Sequence, residues 1–168
     1  MKELTLLREE FGFPRTACGC PFCQVYCRHL PGALDPSDLA RLCPPQQELF
    51  AWAEQHLRAL VDKPYPTLVP ARRPSGACHW YFAGRCAVHP QAPYGCAFFD
   101  SHMPRAEVDR RVSATVQAIR QDAVAGGLYF QVWRHLRDKG LIAPPPDRSA
   151  LVRELAKIRR RSLAVPHE

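Results

Sequence analysis

Eight cysteines stand among 168 residues, and seven of them fall into two groups. The first is Cys18-x-Cys20-x2-Cys23-x3-Cys27, and the second is Cys78-x7-Cys86-x9-Cys96, with Cys43 between them. Three chemistries suit thiols at such density: disulfide cross-links, ligation of a soft metal, and redox exchange at the sulfur itself. Compartment weighs on the choice. Near the N-terminus, Glu3, Glu9 and Glu10 interrupt the uncharged apolar run that a secretory signal would need, so a cytoplasmic location is expected. Stable disulfides are uncommon there, and clustered cysteines more often bind metal. The metal expectation therefore comes first, with Cys18, Cys20, Cys23, Cys27, Cys78, Cys86 and Cys96 as ligands.

Thiolates two to four residues apart on a tight loop can reach one ion without straining the chain. They select zinc, copper(I) or iron–sulfur clusters over magnesium or calcium. Four sulfurs close one zinc site or hold one iron–sulfur cluster, and the cluster is placed ahead of zinc. The spacing matches neither the paired C-x2-C zinc pattern nor a ferredoxin run. His29, His79, His89 and His102 lie near the cysteines as secondary ligand candidates, although a surface or loop histidine is the ordinary reading of each. Cys43 reads as a buried structural thiol, since free cysteine behaves as a small hydrophobe. Cys20-Pro-Phe-Cys23 is formally a C-x-x-C redox pair, but no strand of a βαβ unit is legible before it. Nucleophilic dyads such as Cys78 with His79 or Cys86 with His89 are disfavoured, because such pairs are set in three dimensions.

The elements that must position these thiols are short. Seventeen prolines predict interrupted structure. Residues 2–10 read as a short helix, and Pro14, Gly19 and Pro21 exclude a long one through the first cluster. Asp35 or Ser37 caps a short helix from Asp38 to Leu42. Apolar residues spaced three and four apart predict one helix over 46–62, followed by an extended connector over 63–74. A small hairpin over Ala83–Gly84–Arg85 is expected in the second cluster. Beyond Pro104 the pattern is helical. One stripe runs through Val108, Val112, Val116 and Ile119 to Gly126–Gly127. A second runs through Leu128, Val132, Trp133 and Leu136 to Gly140, and a last face carries Leu151, Val152, Leu155 and Ile158. The expected fold is mainly α, with an irregular, loop-rich cysteine region and little β. It forms one small domain, with a cysteine-rich metal-binding region at 1–104 and a basic helical region packed on it at 105–168.

Charge narrows the partners. Residues 1–104 carry ten Lys and Arg against nine Asp and Glu, whereas 105–168 carry thirteen against seven. Arg148, Arg153, Lys157, Arg159, Arg160 and Arg161 could meet phosphates. Nucleic acid is nonetheless the less favoured partner, because aromatic residues do not interleave with these cations. No apolar run is long enough to cross a membrane. A metal ion or cluster is the expected partner, with a protein redox partner beside it.

GACHWYFAGRCAVHPQAPYGCAFFD, residues 76–100, resembles the closing half of the YkgJ-type cysteine-cluster proteins, described as zinc- or iron–sulfur-binding. The matching pieces are Cys78, the turn Gly84-Arg85-Cys86-Ala87-Val88-His89, and Ala92-Pro93-Tyr94-Gly95-Cys96-Ala97-Phe98-Phe99. CRHLPGALDPSDLARL, residues 27–42, also fits. The first cluster departs from that family's usual C-x3-C-x2-C-C run, having no adjacent pair. The resemblance covers about residues 16–103. It implies a metal-binding protein, often described as an iron–sulfur oxidoreductase, and it supplies no catalytic residue. The alternative class is a structural zinc module whose basic C-terminal helices bind nucleic acid or protein.

Overall fold

The computed structural model describes residues 9–15, 20–100 and 102–163. About half of it is helical, with seven α-helices and only two-stranded sheets among the described residues. The order is β1 (Glu9–Glu10), β2 (Phe13–Pro14), α1 (Pro21–His29), α2 (Asp38–Leu42), α3 (Leu49–His56), β3 (Leu57–Leu60) and β4 (Thr67–Pro70). There follow β5 (Tyr81–Phe82), β6 (Arg85–Cys86), α4 (Tyr94–Ala97), α5 (Arg105–Val124), α6 (Leu128–Asp138) and α7 (Arg148–Leu163). No helix among the described residues is long and apolar enough to cross a membrane.

The expected helix over 46–62 is half helix and half strand. Glu48 caps α3 by accepting from the amides of Phe50 and Ala51, but the helix stops at His56. From Leu57 the same apolar residues obey period two, so Leu57 and Ala59 face inward while Arg58 and Leu60 are only half-buried. The segment expected as a plain connector supplies the partner: Thr67–Pro70 pairs antiparallel with Leu57–Leu60, in register Leu57 with Pro70 and Leu60 with Thr67. A segment of four residues fits either period, and cross-strand pairing decided it. The expected helix over 2–10 lies outside the described residues except at Glu9–Glu10, which form a strand against Phe13–Pro14.

The C-terminal helices follow their turn signals. Helix α5 ends before Gly126, which has φ +62°, and α6 ends before Gly140, at φ +73°. Two of the expected stripes are rotated. On α5 the buried residues are Arg111 and Ile119, while Val112 is 40% exposed. On α6 Tyr129 replaces Leu128, which is 49% exposed. Both residues that turn inward carry polar groups that the core uses. Arg111 donates to the carbonyls of Pro14 and Phe98, and the Tyr129 hydroxyl donates to Leu34 O at 2.9 Å and accepts from Leu68 N at 2.8 Å. Ile119, Tyr129, Val132 and Leu136 thus join Leu34, Leu39, Trp52, Leu57 and Leu68 in the main core. A smaller cluster of Ala92, Tyr94, Ala97 and Phe98 lies beside the last cysteine.

Candidate metal centre

A long helix through the first cluster is not expected, and Pro21 starts a short one. Proline at the first helical position loses no hydrogen bond and presets φ, and α1 runs nine residues from it. Cys20 is the N-cap, and Cys23 and Cys27 lie one turn apart along the helix. The sulfurs of Cys20 and Cys23 are 3.6 Å apart. Cys18 lies outside the described residues.

Three long-range contacts bring the second group to this helix. The Cys78 amide donates to the Cys27 carbonyl at 2.8 Å. Cys78 is placed for this by a turn back from β4, where His79 N donates to Ala71 O and Arg72 bridges to Cys78. The β5–β6 hairpin then carries Cys86, turning over Ala83 and Gly84, both at positive φ. Gly84 accepts that geometry readily, and Ala83 is strained in it. Finally, Gly95 N donates to Ala33 O at 2.8 Å, and the Cys96 sulfur donates to the Gly32 carbonyl at 3.9 Å. The two backbones touch. A Cβ on Gly32 would sit 2.1 Å from Gly95 C, and one on Gly95 would sit 2.4 Å from Ala33 N. Only a pair of glycines permits this crossing.

Cys27, Cys78, Cys86 and Cys96 therefore form one electrostatic group. Burial raises the pKa of each, pushing Cys78 up to about 11 and Cys96 well above the usual thiol range. Beyond burial, Cys86 raises Cys27, Cys78 and Cys96; Cys27 raises Cys78 and Cys96; and Cys78 raises Cys96. Opposing this, backbone amides of Trp80 and Tyr81 donate to the Cys78 sulfur, and that of Val88 donates to Cys86. All four are soft donors whose neutral, protonated form burial favours. Among the described residues no group of three or more Cys, His, Asp or Glu side chains is placed to hold a metal ion.

The remaining candidates separate. Cys43, expected to be buried, is only half-buried; it packs on the main core and donates to the carbonyls of Pro44 and Gln47 at 3.6 and 3.7 Å. His29 pairs with Glu154, and His89 with Arg15. His102 lies in an exposed turn. His79 lies against both His56 and Trp80 in tilted contacts, with ring centroids 5.0 and 4.7 Å away, while His56 and Trp80 stack on each other at 5.9 Å. Burial, His56 and two arginines lower its pKa to about 4. Of the aromatic residues near the cysteines, Tyr26 and Phe82 are exposed and Phe98 is buried.

The sequence reading missed two features. The first is the contact by which the last helix meets the cysteine helix: Glu154 of α7 pairs with both Arg28 and His29, and Arg28 also reaches the Tyr81 hydroxyl. The lone acid of the last helix was the available signal. The second feature is a carboxylate cluster. Glu10, Asp35 and Asp38 converge on Ser37 and Arg41. Asp35 caps α2 by accepting from Asp38 N, and Asp38 accepts from Tyr94 N at 2.7 Å. Burial and the neighbouring Asp38 hold the Asp35 carboxyl well above the usual carboxylate range. The D-P-S-D run at 35–38 hints at the cap, but not at the contact with α4.

A scan against protein-family models finds no match to this chain. Neither a search of curated proteins nor one of solved structures finds a match.

Proposed function

We propose that this is a cysteine-cluster metal-binding protein whose centre is held by Cys27, Cys78, Cys86 and Cys96. The observation that carries the reading is the convergence of these four thiols from α1, the β4 return, the β5–β6 hairpin and α4, where Cys27, Cys78 and Cys86 each raise the pKa of others in the group. Ionising these buried thiols is costly without a counter-charge. A structural metal site contributes about 10–16 kcal/mol in small peptides, enough to offset that cost. The resemblance of residues 76–100 to YkgJ-type proteins points the same way, and an iron–sulfur cluster is preferred to zinc. Such a cluster would supply one-electron transfer, which suits a redox or maturation role. This chain's residues would exclude water through Phe98 and Tyr94, and would orient the sulfurs through the amides of Trp80, Tyr81 and Val88.

Anaerobic purification followed by an absorption spectrum and elemental analysis tests this. The expected outcome is one centre per chain, brown for iron–sulfur or colourless for zinc, and lost in Cys86→Ser and Cys96→Ser. Full metal retention in both variants, or none in the parent protein, would sink the assignment. The alternative is a structural zinc module that uses the outward cations of α7, where Arg153, Lys157, Arg160 and Arg161 are exposed. Salt-dependent binding of random nucleic acid by a zinc-loaded protein would favour it.

A further inference from the structure

The two outer cysteines of α1 differ from the inner four. Cys20 and Cys23 are in direct contact, with sulfurs 3.6 Å apart and both half-buried. Cys27, Cys78, Cys86 and Cys96 influence one another electrostatically, and Cys23 also raises Cys27. We propose that Cys20 and Cys23 form a reversible disulfide, a dithiol switch that exchanges with small-molecule or protein disulfides beside the inner centre.

The geometry suits this in three ways. Residues three apart on a helix have Cβ atoms about 5–6 Å apart, and a disulfide needs about 3.5–4.5 Å. Cys20 is not inside the helix but at its cap, in extended backbone at φ −66° and ψ 158°, so its Cβ has freedom to close that gap. Pro21 fixes the first helical residue, so oxidation need not unwind α1. The cap is also the position at which the positive end of a helix activates thiolates in C-x-x-C pairs.

The exchange balances as follows. The Cys20 thiolate attacks one sulfur of an incoming disulfide, forming a mixed disulfide and releasing the first thiol. The Cys23 thiolate then attacks the Cys20 sulfur, forms the intramolecular S–S bond and releases the second thiol. Two electrons and two protons pass from the pair to the incoming disulfide. The inference goes beyond the metal reading and does not depend on it, because it needs only the outer pair.

The test equilibrates the full-length protein in graded mixtures of reduced and oxidised glutathione, traps free thiols with a maleimide, and maps the cross-links by peptide mass spectrometry. Metal is counted on the same samples. We expect one two-electron transition that yields a Cys20–Cys23 bond, with unchanged metal content. In Cys20→Ser and Cys23→Ser, formation of an intramolecular bond at this helix should fall at least about tenfold, with circular dichroism unchanged. Absence of a Cys20–Cys23 bond in the parent protein at every ratio would overturn the proposal. So would mapping of the bond to Cys18, or loss of metal from Cys20→Ser and Cys23→Ser to the extent seen in Cys86→Ser. Loss of metal from Cys86→Ser bears on the inner centre alone, so the two readings can fail separately.

Discussion

The cysteine region and the α5–α6 pair are built on opposite plans. Helix α5 is 20 residues long and α6 is 11, each with its own apolar face and a glycine to end it. Each has its own hydrogen-bond ladder, although most of its stability comes from packing that face on the core. The cysteine region is made of pieces of two to nine residues, none of which could persist alone. It is held by single crossings instead: Cys78 N to Cys27 O, Gly95 N to Ala33 O, and His79 N to Ala71 O. A region of the first kind degrades gradually when a side chain is lost. One of the second kind is expected to fail at a crossing, because each carries a whole segment and its cysteine.

The sharpest way to break the contrast is at the glycine crossing. Gly95→Ala places a methyl 2.4 Å from Ala33 N, where only backbone could yield. It should cost at least about 3 kcal/mol and release Cys96 from the group, while helicity from α5 and α6 persists. Chemical denaturation with far-UV circular dichroism reads both effects, and a loss under 1 kcal/mol would show that the crossing is not needed. Next in size is the junction between the regions. Tyr129→Phe leaves Leu34 O and Leu68 N without their buried partner, at roughly 2–4 kcal/mol in the same denaturation experiment.

The pH response should also belong to the cysteine side. His79 has its pKa depressed, so it favours the native state when neutral. Its contribution is fully present above the unfolded value of 6.5 and is lost as pH falls through about 4. His79→Phe keeps a ring against His56 and Trp80 and should flatten the drop in melting temperature over that window. His56, also depressed by burial, leaves a residual slope. An unchanged slope in the variant would remove His79 as its source. The smallest effect is expected from Cys43→Ser, below about 1.5 kcal/mol, because a hydroxyl can donate to the same Pro44 and Gln47 carbonyls. Metal content should not change. Equal metal loss from Cys43→Ser and Cys86→Ser would erase the distinction between a core thiol and a centre thiol.

How much was legible follows the same division. The starts and stops of α5, α6 and α7 were readable from Pro104, Gly126, Gly140 and the APPPD break, because capping and turn chemistry is local. The inward face was less so: Arg111 and Tyr129 displaced Val112 and Leu128, since their polar ends had specific carbonyls and an amide to meet across the core. Residues 57–60 were misassigned because helix and strand periods cannot be told apart in four residues when the partner strand is a proline-rich segment. Cys43 could be set apart by its neighbours, but nothing local told Cys20 and Cys23 from Cys27.

By itself, then, the sequence determined the inventory: soft donors in two groups, a helix that Pro21 can open, glycines at 32 and 95, and a mainly helical C-terminal third. Those are properties of residue type and near spacing, set by dihedral preferences and thiol chemistry. Only the tertiary structure decided which thiols meet. Cys27 reaches Cys78, Cys86 and Cys96 across 51 to 69 residues of chain, through a backbone contact that two missing side chains allow. Glu154, 127 residues after Cys27, closes the last helix over the same site. Contacts of that separation depend on the shape of the whole core, and no local pattern encodes them.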